Sequence, residues 1–246
     1  MTTRSGLVAG WLVVLAGAAT AHADAIVPFA GGGYDNYSGP GGQVTRSGMV
    51  LAGATQGRTL AALTFARFDD NHVGQGSSYT AMVGVPATPV ADVRVWGSRL
   101  VGDRSFDAWR LKAGPRLAAI SGASMGLYYL HYADHAGSRS DGASLEAEIP
   151  FRPWLSAHAS AGIANAPDGA HAEQGMVGAG WRPVHGLELS GDVGLARNGT
   201  LMFTPGPPSR TPLLDPLLGG GGSGGTTSNG SKTEGIVQLG VRLIIP

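Results

Sequence analysis

The side chains able to do chemistry are spaced two apart. Asp92 and Arg94, Arg110 and Lys112, and Glu146 and Glu148 each flank a single apolar residue, and Glu188, Asp192 and Arg242 stand in similar runs. A period of two places such residues on one face of a β-strand and their apolar neighbours on the other. Glu146 and Glu148 thereby oppose Leu145, Ala147, Ile149 and Phe151, and Arg110 and Lys112 oppose Trp109, Leu111 and Ala113. Glu188, Ser190 and Asp192 oppose Leu187, Leu189, Val193 and Leu195; Gln238 and Arg242 oppose Val237, Leu239, Val241, Leu243 and Ile245. The charged face carries Asp92, Arg94, Arg110, Lys112, Arg116 and Arg242 with Glu146, Glu148, Glu188 and Asp192. Charges of both signs facing one lumen either pair and fill it or line a wet channel. The filled or very narrow lumen is favoured, and the alternation leaves the channel open.

Other constellations are weaker. His131 or His135 with Ser138 or Ser140 supplies a base and a nucleophile, but no compact His-x-Ser arrangement and no fitting third member. Asp69-Asp70-Asn71-His72 clusters oxygen ligands for a hard cation, without the spacing of a calcium loop; turn chemistry explains it equally well. His158 is expected to point into the lumen as a hydrogen-bonding residue. Gly31-Gly32-Gly33 precedes no helix, so it is not read as a phosphate loop. With no cysteine there is no thiolate metal site, cysteine nucleophile or disulfide. No catalytic residue, metal or cofactor is therefore expected.

These faces need strands to carry them. The chain holds 41 glycines, only 14% charged residues, and 17 basic against 17 acidic side chains, which argues against nucleic acid as a partner. Alternating segments fall at about 25–34, 43–55, 58–68, 77–86, 91–101, 106–117, 123–133, 143–151, 154–164, 173–182, 187–197 and 234–246. Segments of roughly ten residues match tilted transmembrane strands. Short turns at 56–57, 86–90, 120–122, 152–153 and 183–186 alternate with longer polar loops, as in outer-membrane barrels. Pro86, Pro89, Pro150, Pro153 and Pro183 sit at turns or strand ends. Pro115 falls inside the sixth strand, which is expected to end near Gly114 or to bulge there. Trp154 and Trp181 beside Arg-Pro turns are expected to form part of an aromatic girdle. The fold expected is all-β: an antiparallel up-and-down transmembrane β-barrel of about twelve strands.

The ends supply the address. An apolar run over 7–20 followed by Ala21-His22-Ala23 reads as a cleaved signal peptide, 1–23, with the barrel over 24–246. A long Gly/Pro/Ser-rich loop over 198–233 is expected outside the cell, with Leu213-Leu214-Asp215-Pro216-Leu217-Leu218 tucked toward the barrel mouth.

Three segments resemble the YaiO-type outer-membrane β-barrel proteins: Gly33-Tyr34-Asp35-Asn36-Tyr37-Ser38-Gly39, Gly114-Pro115, and the run Tyr128-Tyr129-Leu130-His131-Tyr132-Ala133-Asp134-His135-Ala136-Gly137. The resemblance implies a barrel in the outer membrane and brings no catalytic residues. The chain ends Leu243-Ile244-Ile245-Pro246, where such barrels usually end in an aromatic. The reading is a porin-like barrel of structural, adhesive or narrow-pore role in the Gram-negative outer membrane. Its expected partners are outer-membrane lipid, lipopolysaccharide and the barrel-assembly machinery. The alternative is a lipid-modifying hydrolase of the lipid A deacylase or phospholipase type.

Overall fold

The computed structural model describes residues 25–71, 74–103, 106–118, 122–137, 139–165, 171–197 and 233–245. The expected signal peptide and the loop over 198–232 lie outside them; Thr233, assigned to that loop, opens the last strand. Twelve strands form one closed antiparallel barrel. They are β1 (Ile26–Gly39), β2 (Gln43–Gln56), β3 (Thr59–Asp70), β4 (Gly74–Thr88), β5 (Ala91–Gly102), β6 (Asp107–Ala118), β7 (Ser124–Asp134), β8 (Arg139–Arg152), β9 (Leu155–Asn165), β10 (His171–Val184), β11 (Leu187–Arg197) and β12 (Thr233–Ile245). Each strand pairs with its neighbours in sequence, and β1 closes on β12 from Ala30↔Ile245 to Ser38↔Val237. Closure leaves no edge strand with unpaired backbone groups.

Several strands run further toward the loop end than alternation predicts. β1 continues through Asp35, Asn36, Tyr37 and Ser38, which read as the start of a longer polar loop, because β2 and β12 both offer it a ladder. β8 likewise begins at Arg139.

Prolines mark the turn end. Single-residue register shifts occur between Pro86 and Thr88, between Pro150 and Arg152, and between Trp181 and Val184 around Pro183. A bulge absorbs the missing N–H just before each short turn. Gly57 (φ 56°) in the short β2–β3 turn, which has no such shift, and Gly186 (φ 82°) in the β10–β11 turn take left-handed conformations.

Pro115 departs from expectation. β6 neither ends nor shifts there: Val93↔Pro115 continues the β5 ladder, and the β7 register is the same at Ala113↔Tyr129 and Arg116↔Gly126. Only the β7 pairs at Gly114 and Pro115 are missing. Gly114 lets the backbones approach closely, since a Cβ there would strike the Leu127 carbonyl oxygen.

The inner face has two walls. An apolar cluster of Phe29, Met49, Leu51, Leu60, Met82, Trp96, Tyr128 and Leu130 lines one, and the charged side chains line the other. Inward glycines make room for the large groups. The Phe29 ring lies over Gly53, Phe68 over Gly76, and Tyr128 over Gly126. The outer face is apolar through its middle, with Val50, Leu63, Leu127, Ile163, Val193 and Leu239 exposed. Outward charged strand residues among those described sit within four residues of the loop end, as Arg46, Arg67, Arg99, Asp141 and Glu173 do, apart from Arg152 at a turn.

His158 and Asp192 meet across Gly178, where a Cβ would collide with both. Gly178→Val is expected to lower unfolding stability by about 3 kcal/mol, since overpacking and separation of a buried pair add. Gly48→Ala, whose Cβ meets nothing within 4 Å, should stay within about 0.5 kcal/mol. Urea midpoints of the folded barrel check both; equal midpoints would mean that the pair simply moves aside.

Candidate functional site: the charged lumen

The charged wall is built by the inward positions of β5 to β12 and of β1. Asp92, Arg94, Arg110, Lys112, Arg116, Glu146, Glu148, Glu188, Asp192 and Arg242 are all buried, with Arg94 and Glu148 at 1% exposure. The charges of this polar interior are therefore almost wholly covered by neighbouring groups.

The structure gathers them into groups. Lys112 of β6 donates to Glu146 of β8, reaching past β7 where Gly126 stands opposite Glu146. The Lys112 ammonium also lies 4.3 Å from the Tyr128 ring centroid and 4.9 Å from that of Trp96. Those rings meet edge to face at 5.2 Å. Two cation–π contacts and a carboxylate thus replace the ammonium's hydration shell.

Nearer the turns, Arg94 Nε donates to Asp92 at 3.2 Å, Arg116 stands 3.9 Å from the same carboxylate, and Arg116 Nη2 donates to Ser124 at 3.0 Å. A third chain runs through β10, β11, β12 and β1. Arg182 Nε donates to Glu188 at 2.7 Å, Glu188 faces Arg242 at 3.4 Å, and Arg242 reaches Asp35 at 3.8 Å. Glu148 lies directly opposite His158 in the ladder, and His158 meets Asp192. Arg110 sits one inward position nearer the loops than Lys112, opposite Ser98 and Tyr132.

One corner keeps polar atoms without a hydrogen bond. They include Asp192 Oδ2, both amide atoms of Gln238, both carboxylate oxygens of Asp35 and Arg242 Nε. Gln238 stands between Tyr37 and Asp192 in register and is 1% exposed. Buried polar atoms of this kind suit water or a small polar solute better than a dry plug.

Sequence reasoning missed two members. Asp35 read as part of a loop. Arg182 read only as the partner of a turn proline, although alternation puts it on the face of Gln174.

The weaker candidates come apart. Asp70 faces inward and accepts bonds from Gln43 and Thr45, while Asp69 is exposed on the other face and Asn71 bonds the backbone of Val44 and Gly42. His72 lies outside the described residues. His131 and Tyr129 face outward and both bond Asp141, whereas Ser140 belongs to the inward face. His135 follows β7 in an exposed turn, and Ser138 is outside the described residues. Trp181 is half exposed on the outer face near the turn end of β10, and Trp154, also half exposed, stands in the turn between β8 and β9.

Lys112→Met is expected to destabilise the barrel by about 3–5 kcal/mol, because it takes the neutralising ammonium away from the buried carboxylate of Glu146. Lys112→Met with Glu146→Gln should recover at least half. A denaturation double-mutant cycle measures this, and additive losses would mean that the two side chains are not coupled.

No family model matches the chain, and no curated protein matches it in sequence. Solved structures do resemble it. The KdgM porin in complex with disordered oligogalacturonate matches with a TM-score of 0.58 at 11% identity, over 87% of this chain and 98% of that one. The NanC porin matches with a TM-score of 0.60 at 7% identity, over 86% of this chain and 98% of its own. The chain therefore shares the closed antiparallel barrel fold of these porins.

Proposed function

We propose that this chain is a non-enzymatic outer-membrane β-barrel whose narrow lumen passes water and small ions at most. The observation that carries the reading is the pairing of an apolar outer middle with charged inner side chains that are almost wholly buried. Charge on a lipid-facing strand costs about 2–4 kcal/mol for Arg or Lys near the midplane, which accounts for the side each residue takes. Trp154 and Trp181 serve as girdle residues at the turn end, which faces the periplasm in this reading. The signal peptide over 1–23 and an extracellular loop over 198–233 belong to the same proposal, as does the kinship with YaiO-type barrels.

A polyanionic sugar such as the oligogalacturonate named with the KdgM porin suits this lumen poorly. Lys112, Arg94, Arg116, Arg182 and Arg242 already face carboxylates, so a polyanion would have to break those ion pairs to use these five cations. The hydrolase alternative lacks a serine beside the outward His131–Asp141 pair among the described residues.

The membrane fraction should hold a protein whose gel mobility changes on heating, and purified barrel should give small, infrequent steps in a planar bilayer. Lys112→Ala with Glu146→Ala should raise the step size severalfold. Large steady steps from the wild type, or partition of the protein into the aqueous phase, would overturn the reading. Leu239→Lys, on the outer face, should cost about 2–4 kcal/mol in a bilayer, measured as a lower urea midpoint in vesicles. A cost near zero would mean that this face does not meet hydrocarbon.

A further inference from the structure

The outer face is not uniform. Over β2 to β6 it sinks into a groove of about 1090 Å³. Ala81 and Gly97 lie directly opposite each other on its floor, and a Cβ added at Gly97 would meet nothing within 4 Å. Leu63, Phe65 and Tyr79 rise on one side, with the two rings 5.3 Å apart, and Trp109 rises on the other. One ladder row runs Phe65↔Tyr79↔Arg99↔Trp109, so a guanidinium is set between aromatics along the loop side of the groove.

Arg99 is held in place before any ligand arrives. Its Nε and Nη2 donate to the two oxygens of Asp107 at 3.1 and 2.8 Å, and its guanidinium carbon lies 5.5 Å from the Trp109 ring centroid. Nη1 takes no part in that fork. The side chain remains 37% exposed. A guanidinium oriented by a carboxylate and an aromatic face, with one edge still able to donate, is preorganised for a phosphate oxygen. Arg67 faces the same side two strands away.

We propose that this groove seats an acyl chain of lipid A, with a lipid A phosphate on the Nη1 edge of Arg99. The inference rests on the outer-membrane reading above and names one lipid partner for it. The small floor residues admit the chain against the backbone of β4 and β5, and the aromatic walls hold it by dispersion. A phosphorylated, multiply acylated glycolipid matches both parts of the site, because the apolar trough and the cation are contiguous. A zwitterionic phospholipid would fill the trough but offer the guanidinium a neutralised phosphate.

The test uses full-length barrel, first shown to have heat-modifiable mobility, in native mass spectrometry from detergent. Bisphosphorylated lipid A, dephosphorylated lipid A and phosphatidylethanolamine are compared. The wild type is expected to retain one bisphosphorylated lipid A with at least fivefold preference over the other two. Arg99→Gln should remove the preference, and Gly97→Leu, which projects into open space, should lower all retention at least fivefold. Equal retention of the three lipids, or retention unchanged in both variants, overturns the proposal while leaving the barrel reading intact. A dimer lost only in Gly97→Leu would also overturn it by giving the groove to a second copy. Absence of heat-modifiable mobility in the wild type would bring down both readings together.

Discussion

Everything in this molecule depends on the ladder between β1 and β12. Once Ala30 to Ser38 pair with Val237 to Ile245, every strand has a neighbour on both sides and the barrel has no free edge. The side-chain period is then fixed at two around the cylinder, because a slip of one residue would exchange inside for outside. The register shifts respect this constraint. In β8 and β9 the ladder runs without interruption from Asp141↔Asn165 to Pro150↔Ser156 and shifts only beyond Pro150, after the last inward carboxylate, Glu148. Prolines near the short turns thus relieve the ends without disturbing the faces.

Filling the inside follows from the same geometry. Inward positions crowd together, so large groups need small neighbours. The Phe29, Phe68 and Tyr128 rings lie over glycines, and His158 reaches Asp192 because residue 178 has no side chain. The inward glycines at 53, 76, 126 and 178 are therefore a packing device of a narrow barrel, since none of them takes a left-handed backbone. Lys112 joins the two walls. Its ammonium touches the aromatics of the apolar side and the carboxylate of the charged side, so neither wall is complete without the other.

Strand number, closure into a barrel and the inward set of β6, β8, β11 and β12 could be read from alternation because in those strands one face is charged and the other apolar. β11 was legible to the residue, at Leu187–Arg197. The apolar wall was not legible. In β2, Met49 and Leu51 face inward while Val50 faces outward, and in β3 Leu60 and Ala62 face inward beside Leu63. Where both faces are apolar, a period of two leaves no mark. Asp35 was hidden for a different reason. Its neighbours Asn36, Ser38 and Gly39 carry turn chemistry locally, and only the ladders from β2 and β12 override it. Asp69 and Asp70 looked like one cluster, yet adjacent residues of a strand point to opposite faces.

Charge is neutralised locally on both sides of the wall. Inside, carboxylates of β5, β8 and β11 meet cations of β5, β6, β10 and β12. Outside, at the loop end, Arg99 pairs with Asp107 and Arg197 stands 3.8 Å from Glu173. With 17 basic and 17 acidic residues the chain has no net charge to project a steering field. Selection of a solute or lipid must then work at contact distance, through groups that keep bonding capacity after their own pairing is met. In the lumen such capacity lies with Gln238 and Asp192, and on the outer face with the unused edge of Arg99. The two places differ in what surrounds them. The first is enclosed by other polar groups and suits something small and hydrated, while the second borders an apolar trough and suits an anion that carries its own hydrocarbon.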